Sequence, residues 1–383
     1  MRANHRPHTR ITLDQGPMET KVVPIDAAMV PRVAAFLEAM PWLEGGPQPL
    51  PQVPGAEVSA LALLEWFLRN PAQPPDRAIG HVMTDGDGRI SGSHLCIAQR
   101  FAWGERRIRG SGSASFFASP GARRDGPGPA ALFLEYLRLP GYDFRFSTTC
   151  NLDSGAFWVR LRAAPIRGSE LEYLFPLRIA PLLEEVLVRK NAGRVPARMG
   201  GALASLGQPA LDRKNRRAPF TIAPCTDWER LASLSEVCRD RERITSSRDS
   251  AYLAWRYGDC PGPSRVRVFR ILERGNDVGW FALLEGRRGH GCRIRSAMLV
   301  DLVWPAQRGD VREALQTVIA ASSPLFDVLS VRPRLGLGDA PLSLGARSRP
   351  LPGPTTYVYG RPDSPARHAE RFDFVLADSD SAT

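Results

Sequence analysis

The chain has 383 residues, of which 43% are hydrophobic and 24% are charged, and its formal net charge is +11. This composition is typical of a globular protein and excludes a largely disordered chain. The positive charge favours anionic partners, such as nucleic acid, a membrane surface, an acidic carrier protein or a phosphorylated cofactor. Because the arginines are dispersed along the chain, a solvated basic surface is the default interpretation.

The six cysteines are far apart and contain no C-x-x-C pair. This spacing disfavours a disulfide framework or a zinc site, and reduced thiols are typical of a cytoplasmic protein. The N-terminal stretch has basic residues without an apolar core after them, so it does not have the form of a secretory signal. No run approaches the roughly 18 apolar residues of a membrane-spanning helix. We therefore expect a cytoplasmic protein with no membrane span and no metal.

A repeat of elements dominates the order of the chain. After a predicted flexible tail at 1–18, residues 21–40 predict a strand, an aspartate cap and a helix, and residues 221–238 predict the same series. In the helical segments that follow, Trp66 corresponds to Trp255. Each half then continues with strands separated by polar, glycine-containing turns. The matching order favours an internal duplication.

Both halves go on to a further strand, a helix and a final strand. These segments are 112–119, 131–137 and 144–149 in the first half, and 297–304, 311–322 and 327–333 in the second. An antiparallel meander followed by a strand–helix–strand crossover predicts a mixed sheet. We therefore predict the α/β class, with mixed α+β sheets: two tandem domains, each a mostly antiparallel sheet flanked by helices. The predicted divisions are an N-terminal domain at 19–180, a linker helix and loop at 181–218, a C-terminal domain at 219–361 and a flexible tail at 362–383.

The loop at 121–130 joins a predicted strand to a predicted helix and has the composition of an anion site. Backbone N–H groups at a helix N-terminus face outward at the positive end of the helix dipole. Gly126 and Gly128 let the main chain approach an anion closely. Arg123 and Arg124 could donate bidentate hydrogen bonds to phosphate oxygens. The loop therefore predicts a phosphate site.

The same residues carry a family resemblance. The run from Arg123 to Gly128 matches the R/Q-x-x-G-x-G/A motif of the GCN5-related N-acetyltransferase (GNAT) superfamily, in which that loop binds the pyrophosphate of acyl-coenzyme A. The strand before it, Ser113–Ser119, resembles the strand that pairs with the pantetheine arm, and residues 151–168 resemble the family's asparagine-led helix and following strand. The resemblance covers about residues 20–180, whereas the second half departs from the motif spacing at 307–309.

The resemblance implies these coenzyme-binding residues: Phe117, Ala118, Arg123, Arg124, Asp125, Gly126, Pro127, Gly128 and Asn151. It implies acyl-CoA as co-substrate, carrying acetyl or a longer acyl group. N-acyl transfer needs a neutral amine beside a polarised thioester carbonyl, and often a base that takes the ammonium proton.

Three residues are the candidates for catalysis: His94, Cys150 and Asn151. His94 has an ordinary pKa in the range of a general base, and the alternative is a structural histidine. Cys150 could form a covalent acyl-cysteine intermediate. The alternative is that Cys150 is a small buried thiol with a packing role only. Seven residues after Asn151, many relatives carry a tyrosine that protonates the leaving thiolate, but this chain has Trp158. An indole cannot donate a proton from oxygen, which leaves open an altered reaction or a ligand that is bound without turnover.

The predicted function is transfer of an acyl group from acyl-CoA, or from an acidic acyl carrier protein, to an amine on a small molecule or a carrier. The C-terminal domain would shape the acceptor site. One alternative is an aminoacyl-tRNA-dependent transferase, although the phosphate loop disfavours tRNA as a partner. The other is a non-catalytic CoA-binding or scaffold protein. No residue pattern specifies the acceptor or the acyl length.

Overall fold

The computed structural model describes residues 20–39, 58–74, 77–119, 122, 128–190, 194–215, 217–262, 265–308, 310–333 and 335–374. The residues predicted to form the N-terminal tail and most of the phosphate loop, 123–127, lie outside these ranges. Two mixed sheets organise the described chain. No helix among the described residues combines the length and apolarity needed to cross a bilayer.

The first half contributes strands β1–β7 and helices α1–α4. The strands are β1 Lys21–Pro24, β2 Gly80–Thr84, β3 Ile90–Trp103, β4 Arg106–Ala118, β5 Phe144–Ser147, β6 Ala164–Pro165 and β7 Leu171–Pro176. The helices are α1 Val30–Ala39, α2 Ala60–Leu68, α3 Gly128–Arg138 and α4 Leu152–Arg160. Helices α5 Ile179–Arg189, α6 Arg194–Ala204 and α7 Gln208–Asn215 then connect the halves.

The second half contributes strands β8–β15 and helices α8–α11. The strands are β8 Thr221–Pro224, β9 Thr245–Ser246, β10 Val266–Glu273, β11 Asn276–Arg288, β12 Ile294–Val303, β13 Val328–Val331, β14 Arg347–Pro350 and β15 Tyr357–Tyr359. The helices are α8 Trp228–Cys238, α9 Ser250–Leu253, α10 Val311–Ser322 and α11 Ala340–Ser343, and one π-helical turn, Ala254–Gly258, follows α9.

The two sheets repeat one topology. Strands β1, β2, β3 and β4 are antiparallel neighbours, and β4 then pairs in parallel with β5. Strands β8, β10, β11, β12 and β13 repeat this series, with the parallel pair between β12 and β13. Both halves also shift register between the third and fourth strands, next to Leu95 in one and Leu283 in the other. The repeated topology and irregularity are the structural counterpart of the repeat in the sequence.

Both halves supply strands to the other half's sheet. Strand β7, at the end of the first half, lies between β13 and β14, and β15, near the C-terminus, lies between β5 and β6. The short strand β9 of the second half also pairs with β3 of the first sheet. Neither half therefore completes its sheet from its own segment. The predicted division at 181–218 remains a prediction about chain segments, and β7, β9 and β15 each join the sheet of the other half.

Two tryptophans join the halves at the centre of the molecule. The rings of Trp66 and Trp255 stack with centroids 4.2 Å apart and planes 6° apart. Each indole N–H donates to the other residue's backbone carbonyl, both at 2.8 Å. Helices α1 and α2 of one half and α8 and α9 of the other share a single apolar core around this pair. The repeat is thus arranged about an approximate two-fold axis between the two rings.

The predicted C-terminal tail differs from the structure. Residues Pro365–Arg371 form a 3₁₀ helix, after which Phe372 and Phe374 are buried against Phe101 and Phe146 of the first sheet. The low apolar content of this stretch suggested a tail, but two aromatic side chains suffice to anchor it. Only residues 375–383 of the predicted tail lie outside the described chain.

Candidate functional site

Strand β4 pairs with β5 over only part of its length, and the end of this pairing, at Gly112–Phe146, is called the separation. The parallel ladder covers three residue pairs, from Gly110–Phe144 to Gly112–Phe146, whereas β4 stays paired with β3 as far as Ala118. Ser115 has a φ of 43°, which side chains other than glycine rarely adopt. A bulge with such a residue bends a strand and changes the direction of its side chains. The second part of β4 therefore changes direction beyond its last pair with β5, and helix α3 begins ten residues after β4 ends.

Aromatic side chains from β4, α3 and α4 surround this separation. Phe116, Phe133 and Phe157 lie with ring centroids 5.3–5.6 Å apart. Phe133 is buried, whereas Phe116 and Phe157 are half-buried. The half-buried rings give the site an apolar wall next to the end of the β4–β5 ladder.

His94 is the polar group inside this aromatic shell. Its ring packs against Phe116 and Tyr136, and its Nε2 lies 2.8 Å from Oγ of Ser113. Burial and the neighbouring His81 lower the pKa of His94 to about 3. The imidazole is therefore neutral at pH 7 and a weak base. It can orient the Ser113 hydroxyl, a residue that sequence reasoning did not single out because the contact depends on the β3–β4 register.

Cys150 and Asn151 lie at the start of α4. The Cys150 side chain is 7% exposed and its thiol donates to Oγ of Ser147 at 3.1 Å. Asn151 is the N-cap of α4, and its Oδ1 accepts a hydrogen bond from the backbone N–H of Ser154 at 2.8 Å. In turn, the backbone N–H of Asn151 donates to the hydroxyl oxygen of Ser154, which completes a capping box. Both side chains therefore have a local structural role, and their predicted catalytic roles remain predictions.

Trp158, at the position where the resemblance implied a tyrosine, is fully buried. Its ring makes edge contacts with Phe133 and Tyr136 and lies parallel to Tyr357 of the exchanged strand β15, 6.4 Å away. The indole Nε1 has no hydrogen-bond partner among the described residues. Trp158 is thus a core residue that ties α4 to β15.

The predicted coenzyme-binding residues fall into two groups. Phe117 and Ala118 end β4, paired with Ser93 and Gly92 of β3. Gly128 begins α3, where a Cβ would lie 2.7 Å from the sulfur of Met83, so a larger residue there would require the Met83 side chain to move. The remaining predicted residues, Arg123, Arg124, Asp125, Gly126 and Pro127, lie outside the described chain.

Comparison with known proteins gives a fold and no close relative. No family model and no curated protein matches the chain. Among solved structures, an N-myristoyltransferase of Saccharomyces cerevisiae with bound myristoyl-CoA is 11% identical with a TM-score of 0.53, and the alignment covers 97% of this chain and 93% of that one. A GCN5-related N-acetyltransferase from Anabaena variabilis is 10% identical (TM-score 0.53), and a probable N-acyltransferase from Enterococcus faecalis is 12% identical (TM-score 0.52); each alignment covers 89% of this chain and 72% of the other.

At these identities the likeness concerns the fold. It confirms the predicted class, mixed α/β sheets flanked by helices, over nearly the whole chain and not only the first half. The chain therefore has the fold of the GNAT superfamily.

Proposed function

We propose that the protein is an acyltransferase that moves an acyl group from a CoA thioester to an amine. The observation that supports this most is the bend of β4 at Ser115, beyond its last pair with β5, on a fold shared with N-acyltransferase structures. A site between parallel strands that part, next to the start of a helix, is a common position for ligands with phosphate groups. Bound there, a CoA thioester would supply the electrophilic carbonyl.

The residues around the separation suit such a ligand. The half-buried faces of Phe116 and Phe157 would line an apolar acyl or pantetheine chain. Arg123 and Arg124 would hold the phosphates, as the motif implies. The apolar wall places no limit on acyl length.

We assign His94 a positioning role, since an imidazole with a pKa of about 3 takes up a proton poorly at pH 7. It would hold the Ser113 hydroxyl in one orientation, next to the kink at Ser115. The acceptor amine would then lose its proton to water, and rate enhancement would come chiefly from orientation of the amine against the thioester. As the C–N bond forms, the C–S bond of the thioester would break and the CoA thiolate would leave and take its proton from water, so this mechanism requires no tyrosine at position 158.

A second candidate function is a protein that binds CoA without turnover. Two residues, Trp158 and His94, favour it. Trp158 lacks an acidic hydroxyl, and His94 is a weak base. We therefore separate binding from turnover in the test.

Thermal unfolding with and without acetyl-CoA and myristoyl-CoA measures binding. A ligand at one hundred times its Kd stabilises the protein by about 2.7 kcal/mol. We expect this stabilisation in the wild type and in Arg138→Glu, whose arginine lies at the exposed end of α3, and its loss in Arg124→Glu. Equal stabilisation of all three proteins would contradict the assigned phosphate loop. Release of free CoA in the presence of a panel of amines then measures turnover, and binding without release would favour the second candidate.

A further inference from the structure

A cleft of about 800 Å³ lies between the two halves, away from the proposed acyl-transfer site. Its walls are the β3–β4 hairpin of the first half, the segment from α8 to α9, and the junction between β12 and α10. It touches Arg107 near the beginning of β4, whereas the proposed site lies near Phe117 at the other end. At about 3.3 Å per residue, roughly 30 Å separate the two positions.

The cleft is rich in charge, and most of its carboxylates are already paired. Six arginines and five carboxylates line it: Arg100, Arg107, Arg109, Arg239, Arg243, Arg248, Glu229, Glu236, Asp240, Asp249 and Asp373. Four of the carboxylates pair with lining arginines at 2.8–3.6 Å: Asp249 with Arg100, Glu236 with Arg239, and Asp240 and Asp373 with Arg243. The fifth is Glu229, in the first turn of α8.

Two of the lining arginines, Arg107 and Arg109, could pair with a bound anion. Arg248 forms a buried bidentate pair with Asp301, at 2.8 and 3.0 Å, so it is committed to the fold. Arg107 and Arg109, in contrast, have no side-chain ion-pair partner among the described residues, and both are exposed. Arg109 also lies directly opposite Arg100 in the β3–β4 ladder. Like charges at opposite positions destabilise a strand pair, and Asp249, which pairs with Arg100, offsets part of that cost.

Three consecutive hydroxyls line the same cleft without hydrogen-bond partners. The side-chain oxygens of Thr245, Ser246 and Ser247 are buried and unbonded within the described chain, and Ser246 is only 3% exposed. A buried hydroxyl without a partner costs about 1–3 kcal/mol. Such groups are rare in native proteins. Because their oxygen atoms have almost no surface that water can reach, they lie behind the surface of the open cleft and are not available to a ligand without local movement.

We propose that this cleft binds a small molecule that carries a phosphate or diphosphate group. Arg107 and Arg109 alternate along one strand, so their Cα atoms lie about 7 Å apart and their side chains leave the same face. Two guanidinium groups at that spacing can hold one phosphate or the two of a diphosphate. The volume exceeds that of a phosphate and falls in the range of sites for small organic ligands.

The position of the cleft within the repeat supports a ligand site. The β12–α10 junction of the second half corresponds to the β4–α3 junction of the first, where the phosphate motif lies. The second half has lost the motif spacing, yet a cleft remains at its junction, with arginines supplied by the other half. The proposed site is therefore composite and does not depend on acyl transfer in the first half.

Calorimetric titration of the full chain with pyrophosphate tests the proposal. We expect two sites in the wild type, one in this cleft and one at the loop around Arg124. The double variant Arg107→Ala/Arg109→Ala should lose one of them, with affinity reduced at least tenfold. The matched control is Arg106→Ala, on the same strand but over the ring of Trp103 at 5.7 Å and not lining the cleft. It should keep both sites, and circular dichroism checks that each variant is folded.

A second pair of substitutions separates the two proposals. In Arg123→Ala/Arg124→Ala, binding in the cleft should persist. Loss of all pyrophosphate binding in this variant, with none lost in Arg107→Ala/Arg109→Ala, would overturn the cleft proposal and leave the acyl-CoA loop standing. The opposite pattern would support the cleft and contradict the loop. Binding of a tRNA-length oligonucleotide without binding of pyrophosphate would overturn a small-molecule site.

Discussion

The tryptophan pair at the centre of the molecule gives a sharp prediction about stability. Replacing Trp66 by Phe removes the indole N–H that donates to the carbonyl of Trp255, and the reverse holds for Trp255→Phe. Loss of a hydrogen bond to a buried carbonyl costs about 1–3 kcal/mol, and the Trp66 carbonyl keeps one other donor, the Arg69 N–H at 3.1 Å. The smaller ring also leaves a cavity, so we expect each single variant to lose about 2–4 kcal/mol of unfolding free energy.

The approximate two-fold arrangement makes the prediction stricter. The two residues are buried to 0% and 3% exposure and make reciprocal contacts, so the two losses should agree within about 1 kcal/mol. The double variant should show a coupling energy of about 0.5–1.5 kcal/mol, as is usual for aromatic pairs. Trp103→Phe, whose ring is half-buried at the end of β3, is the control and should change stability little.

Urea unfolding followed by circular dichroism and tryptophan fluorescence measures these values. Because β7 and β15 are exchanged between the sheets, both signals should report one transition. Two separated transitions, or a large loss in one tryptophan variant with almost none in the other, would refute the symmetric interface.

Three further predictions concern the first sheet. Phe372→Ala should lower the free energy of unfolding in urea by about 3–5 kcal/mol, because the Phe372 ring is fully buried. The control Val237→Ala, at an exposed position, should lower it by less than about 0.5 kcal/mol. Equal effects would mean that the C-terminal stretch is not anchored. Gly110→Ala should destabilise by about 1–3 kcal/mol, since its Cβ would lie 2.7 Å from Phe144, whereas Gly86→Ala, with open space around it, should be neutral, and a neutral Gly110→Ala would contradict the packing. The pKa of His94 is lowered to about 3, so the unfolded chain binds its proton first as pH falls; the stability advantage of wild type over His94→Asn should shrink by about 1.4 kcal/mol per pH unit from about pH 6 to pH 4, and an advantage independent of pH would show that the imidazole is not buried as described.

Some of this architecture could be predicted from local patterns and some could not. The equivalence of Trp66 and Trp255 follows from the repeated order of elements, and helix α10 is predicted with its observed bounds. The contact between the two rings could not be predicted, because it depends on how the halves face each other. Likewise, the patterns above predict no strand at the short segments that form β7 and β15, and nothing local indicates which sheet a strand will join.

The sites show the same limit. The phosphate motif stands out because its residues are adjacent, and the family resemblance directs attention to β4. The cleft could not be predicted from local patterns, because its arginines come from distant segments of the chain. Each of them taken alone is typical of a solvated basic surface. His94 was a candidate base on its ordinary pKa, and only its aromatic surroundings show that burial makes it a weak one. Burial and register depend on the whole fold.

Hydrogen–deuterium exchange with and without acetyl-CoA tests the central claim most directly, because it locates the ligand without assuming a reaction. We expect slower exchange in peptides that cover the second part of β4, Ser113–Ala118, and the beginning of α3. Exchange in Trp66 and its neighbours in α2 should not change. Protection elsewhere without protection at β4 and α3, or no protection at all at saturating acetyl-CoA, would contradict acyl-CoA binding at this site.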